Sequence, residues 1–138
     1  MKNLILIFSI LIIFINCAND DTNKQENSII GTWKLIETYG SDGGSNPQWS
    51  TITNGYSYTF NQSGNFTSNR FSECSEGKYS ISGDDLILDY GCNGFTTSIE
   101  NPEGTFIEKF IFERGNLILT PTYLTCIEGC GYKFQKIE

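Results

Sequence analysis

The chain has 138 residues, a formal charge of −7 and no histidine. The missing imidazole excludes Ser-His-Asp and Cys-His catalysis, histidine-ligated zinc and the usual pH switch. The acidic balance, with no basic cluster, sets nucleic acid aside as a partner and makes an anionic lipid surface unfavourable.

Met1-Lys2-Asn3 opens the chain. An apolar run from Leu4 to Ile15 follows, broken by Ser9, and Asn16-Cys17 ends it. The run is too short to span a bilayer and has the form of a signal peptide. A cysteine directly after such a run resembles the lipobox of bacterial lipoproteins, with Asn16 where that family carries a small residue. The resemblance implies removal of residues 1–16, lipidation of Cys17 (palmitate among the acyl chains) and anchoring to a membrane. Each buried methylene contributes about 0.8 kcal/mol to such anchoring. An ordinary secretory peptide cut elsewhere is the alternative. Residues 17–28 are polar and aperiodic, as expected of a flexible tether. Asp20 and Asp21 resemble the acidic export signal of surface lipoproteins. The expected location is therefore the outer membrane, on its periplasmic face or at the cell surface.

Past residue 28 the pattern alternates. Ile29 to Ile36 reads as a first strand, with Trp33, Leu35 and Tyr39 on one face and Thr32, Lys34 and Thr38 on the other. Gly31 marks a place where backbone comes close or an aromatic needs room. Residues 40–47 are a loop by composition. Trp49 is read as a cap or plug at the end of the fold. Tyr56 to Phe60 alternates aromatics with hydroxyls, Asn61 to Asn65 turns, and Phe66 to Phe71 returns as a more polar strand. Gly77 to Ile81 and Leu86 to Tyr90 flank a Gly83-Asp84-Asp85 turn. Phe95 to Ile99 is expected as a further strand before Asn101-Pro102. Thr105 to Glu113 and Leu117 to Leu119 flank Arg114-Gly115-Asn116, and Tyr132 to Ile137 alternates to the end. Apolar residue, short Gly-containing turn and apolar strand recur three times, which is the signature of an antiparallel meander. No window sustains a helical period.

Four cysteines lie beyond Cys17: Cys74, Cys92, Cys126 and Cys130. In an exported chain they read as disulfides, with three connectivities open. Cys74–Cys92 with Cys126–Cys130 is favoured. The first ties neighbouring strands of the meander, and Gly129 and Gly131 allow the sharp turn the second needs. A four-cysteine zinc site lacks paired C-x-x-C spacing, and a calcium site at Asp84-Asp85 lacks an alternate-ligand loop. Neither a metal nor a cofactor is expected, and no nucleophile stands with a base, so an enzyme is not expected.

Eight or nine hairpin-linked strands lose their exposed edges most simply by closing. The expected fold is all-β, an eight- to nine-stranded antiparallel up-and-down barrel over residues 29–138. Gly31-Thr32-Trp33-Lys34 early in strand one, then a meander and a short aromatic last strand, resembles the lipocalin-like lipoprotein domains of bacteria. That resemblance implies that Trp33 packs at the closed end of the barrel under a basic side chain from a late strand, Lys133 or Lys136 by position. The second signature of lipocalins, a Thr-Asp-Tyr turn, is absent.

The candidate inward set is Trp33, Leu35, Tyr56, Tyr58, Phe60, Phe66, Tyr79, Ile81, Leu86, Leu88, Tyr90, Phe110, Phe112, Leu117, Leu119, Tyr132 and Phe134. Rings in such number leave room for a small cavity at most. The expected function is binding of a small hydrophobic ligand in or at the mouth of the barrel by a monomer. Candidate ligand-binding residues are Trp33, Tyr56, Tyr58, Tyr90, Phe110 and Tyr132, whose phenols orient the ligand while the rings supply apolar wall. The competing expectation is a non-enzymatic surface or envelope module that binds another protein, such as an inhibitor or host-facing factor.

Overall fold

The computed structural model describes residues 28–41, 46–127 and 129–138. The expected signal peptide, Cys17 and all of the expected tether but Ser28 lie outside the described residues. Nine strands follow in order: β1 (Gly31–Gly40), β2 (Gln48–Thr51), β3 (Ser57–Phe60), β4 (Asn65–Ser68), β5 (Glu76–Ser82), β6 (Asp85–Tyr90), β7 (Thr105–Glu113), β8 (Asn116–Pro121) and β9 (Gly131–Lys136). Every neighbouring pair is antiparallel, and β1 also pairs with β9, from Trp33 opposite Lys136 to Tyr39 opposite Gly131. The sheet therefore closes into a barrel.

β2 and β3 lie end to end along the same side of β1. β3 covers Gly31 to Lys34, and β2 covers Glu37 to Gly40. Hydrogen bonds from Leu35 N to Tyr56 O and from Ile52 N to Ile36 O carry the ladder across the gap. The two pieces act as one interrupted wall, so nine strands make an eight-stranded barrel. Gly55 sits at the interruption, where an added Cβ would lie 2.0 Å from the Leu35 carbonyl oxygen.

The two ends differ. Tight turns at Asn61–Gly64, Gly83–Asp84 and Arg114–Gly115 gather at one end, together with the start of β1 and the chain's last residues. The connections 69–75 and 91–104 and the described residues of 41–47 and 122–130 gather at the other. The first is the closed end. Trp33 is its floor: buried, with its indole N–H donating to Ile29 O at 2.7 Å and its ring 5.8 Å from that of Phe112. Lys136 Nζ stands 5.4 Å from the indole, the basic partner expected on a late strand, whereas Lys133 lies over Trp49. Gly31 has φ +125°, and a Cβ there would meet Glu138 O at 2.5 Å. The C-terminal backbone seals this end by Thr32 N to Glu138 O and Ile137 N to Thr32 O.

Several local expectations are corrected. A bulge in β1 between Leu35 and Glu37 shifts the register and turns Tyr39 to the outer wall, where its ring meets Trp49 at 5.3 Å. Trp49 is thus neither cap nor plug. Residues 95–99 form no strand: Thr97 N, Ile99 N and Gly104 N all donate to the Glu100 carboxylate, which takes the place of a neighbouring strand. β4 stops at Ser68 rather than Phe71, because Ser68 Oγ accepts from Arg70 N and bends the chain inward. Ile81 has the inward parity but lies at the rim beside the closed-end turn and is 47% exposed. Both disulfides are the favoured pairs, Cys74–Cys92 and Cys126–Cys130.

Candidate functional site: the mouth of the barrel

Rings fill the interior. Tyr58, Phe60, Phe66, Phe106 and Phe134 are essentially inaccessible, and Tyr58 lies 5.5–5.9 Å, centroid to centroid, from Tyr56, Phe60, Phe66 and Phe134. Such spacings are direct ring contact. The expected small cavity therefore has to be sought above this layer, where the long loops open.

There the chain buries two opposite charges. Arg70 enters from the 69–75 loop, and Glu108 projects inward from β7 on the same face as Phe106 and Phe110. Arg70 Nη1 donates to Tyr58 Oη at 3.1 Å and to Glu108 Oε1 at 3.5 Å, and Nη2 donates to Tyr123 Oη at 2.9 Å. Tyr123 in turn donates to Glu108 Oε1 at 2.7 Å. Five rings surround the guanidinium: Phe71 at 4.9 Å, Phe106 at 5.2 Å, Tyr56 at 5.5 Å, and Tyr123 and Tyr132 at 6.0 Å. Cation–π attraction is strongest where water is excluded, so this cage adds to the hold of the hydrogen bonds on the side chain.

The ion pair is incomplete. Structural Arg–carboxylate pairs are typically bidentate at shorter range, and a buried pair stabilises only when every polar atom is satisfied. Here one long contact joins them, and Glu108 Oε2 is buried with no hydrogen-bond partner among the described residues. Tyr90 Oη is buried beside the hydroxyls of Tyr58 and Ser68. A guanidinium carries five N–H donors, of which three are engaged here. The Arg70 side chain keeps 13% of its surface exposed, so the remaining donors are reachable from the open end.

Burial pushes the Glu108 carboxyl above the usual carboxylate range, against the pull of Tyr123 and Arg70. Burial likewise raises Tyr56, Tyr58, Tyr90, Tyr123 and Tyr132, which keeps these phenols neutral. The mouth is thus a low-dielectric chamber with one fixed cation, one destabilised carboxylate and a ring of hydroxyls.

Of the candidate residues, Tyr56, Tyr58 and Tyr132 converge on Arg70, and Tyr90 joins them through Tyr58. Trp33 and Phe110 are not part of this group. Trp33 is the closed-end floor, and Phe110 packs edge-on against Phe112 at 5.9 Å. The residues that organise the site, Arg70, Glu108, Phe71, Phe106 and Tyr123, escaped the sequence reading. Phe106 and Glu108 had a signal there: they share even spacing with Phe110 and Phe112 in an inward-facing strand.

A lipocalin-like domain model matches residues 29–112, well over half of the chain. The chain belongs to the lipocalin-like domain family. β8 and β9, which close the lipocalin-like barrel onto β1, lie beyond the matched segment. No curated protein and no solved structure matches the chain significantly.

Proposed function

We propose that this lipocalin-like protein is an outer-membrane lipoprotein that holds a small, largely apolar molecule at the barrel mouth without transforming it. The observation that carries this reading is the cage around Arg70. Aromatic walls with a few converging, incompletely paired polar groups are what ligand sites are built from. Beside it, a cleft of about 420 Å³ is lined by Phe71 and Phe95 together with Glu73, Asn93, Thr96 and Thr97. Phe71 also lies against the Arg70 guanidinium, so the cleft and the cage share one wall. Lipidation at Cys17 supplies the anchor, and the packed floor around Trp33 leaves the mouth as the working end.

Native mass spectrometry of the protein taken from membranes tests the proposal. The expected species starts at an acylated Cys17 and carries a co-purified small molecule. A species retaining residues 1–16, or an acylated one that never carries a ligand, would count against it.

One observation favours the protein-binding alternative. Tyr39, Trp49 and Ile118 line an outer-wall groove beside the Cys126–Cys130 loop, whose Ile127 is 92% exposed. Crosslinking from Trp49 to an envelope protein would support that reading. A Trp49→Ser chain that keeps every partner would remove it.

A further inference from the structure

We propose that the ligand of the mouth carries a carboxylate-type anionic head, and that Glu108 takes up a proton from solvent when this head binds Arg70. The inference rests on the ligand-binding reading above and names the ligand's chemistry.

The free site is neutral overall, with Arg70 positive and Glu108 negative. A neutral hydroxyl could donate to the stranded Glu108 Oε2, but it would bring Arg70 no counter-charge. A cation would have to enter a cage that a guanidinium already fills. An anion, by contrast, finds two unengaged N–H donors on a guanidinium reachable from the open end. Arriving alone, it would place two negative charges against one positive charge where charge is costly to bury. One carboxylate must then be neutralised, and Glu108 is the one already disfavoured as an anion.

The bookkeeping of the step is simple. A solvent proton forms an O–H bond on Glu108, no covalent bond breaks, and the anionic head replaces Glu108 as the partner of Arg70. The groups facing Glu108 are Arg70 from the 69–75 loop, Tyr123 from the 122–130 loop, Tyr56 and Tyr58 from β3 and its approach, and Tyr132 from β9. All four phenols are pushed up by burial and the guanidinium keeps its proton. A proton taken up below the phenol range therefore belongs to Glu108 or to the ligand's own carboxylate, and Glu108→Gln tells the two apart.

Isothermal titration of the Cys17→Ser chain with decanoate and with decanol, in two buffers of different ionisation enthalpy, decides the matter. Decanoate is expected to bind roughly ten- to a hundredfold tighter than decanol, the margin of a charge-assisted hydrogen bond. Its binding should take up protons, most of all where pH lies between the free-site and bound-site values of Glu108, and less on either side. Glu108→Gln should bind decanoate with no proton uptake, and Arg70→Gln should lose the preference over decanol. Equal binding of decanol overturns the anionic head, decanoate binding with no uptake by the unsubstituted site overturns the role of Glu108, and both leave the ligand site standing. Binding of neither compound overturns the ligand site itself.

Discussion

Arg70 and Glu108 show how a single buried pair sets the behaviour of this mouth. Arg70→Leu leaves Glu108 buried without its counter-charge, which typically costs about 3–5 kcal/mol. The double substitution Arg70→Leu with Glu108→Leu should recover most of that loss in urea denaturation, because no charge then remains to desolvate. The pH dependence follows from the direction of the shift. Glu108 has a folded value above its unfolded value of about 4.3, so its ionisation penalises the folded state. Its contribution declines as pH rises through the interval between those values and then levels off. Arg70→Leu removes one of the two influences holding Glu108 down and should extend that decline to higher pH. At the closed end, Gly31 makes the opposite kind of demand. With φ +125° and Glu138 O where a Cβ would stand, Gly31→Ala should cost about 1–3 kcal/mol, read as a lowered urea midpoint with an unchanged m-value. Gly31 and Trp33 were legible in the sequence because backbone permissiveness and bulk are intrinsic to the residue. Arg70 was not, since nothing local distinguishes a buried arginine in a polar return from a solvated one.

At the scale of elements, the period-two strands and glycine turns could be read directly, because each hairpin is a local event. The failures came where tertiary partners overrode local pattern. The bulge after Leu35 reversed Tyr39, and the Glu100 carboxylate held residues 95–104 in a loop that composition alone would extend into a strand. Glu100 lies well below the usual carboxylate range: burial opposes this, and the Thr97 hydroxyl and the Gly104 amide overcome it. A depressed carboxylate stabilises above its unfolded value of about 4.3 and loses that contribution as pH falls below it. Protection factors at Thr97 and Gly104, taken relative to intrinsic amide exchange, should therefore fall in acid more than those within β7. Glu100→Gln should lower them already at neutral pH. The disulfides differ by the chain they enclose. Separations of 18 and 4 residues give about 3 kcal/mol for Cys74–Cys92 and about 2 kcal/mol for Cys126–Cys130 on the loop-entropy model. Paired serine substitutions compared by urea denaturation should rank in that order. Because Cys74 anchors the loop that carries Arg70, the first pair should also weaken ligand binding, and the second should not.

For the whole molecule, the closed barrel followed from counting hairpins and asking where the edges go. The site was harder to see, since a mouth is made by loops that meet only once the sheet has closed. Arg70, Glu108 and Tyr123 come from separate segments, and sequence spacing carries no trace of their convergence. The resulting asymmetry, a sealed floor of Trp33, Phe112 and Lys136 beneath a charged aromatic mouth, is the central claim. Side-chain NMR of the Cys17→Ser chain titrated with decanoate tests it directly. The account predicts saturable shifts at the Arg70 guanidinium and the Tyr56 and Tyr132 rings, with the Trp33 indole N–H unmoved. Shifts concentrated on Trp33, or shifts that grow linearly without saturation, would contradict it.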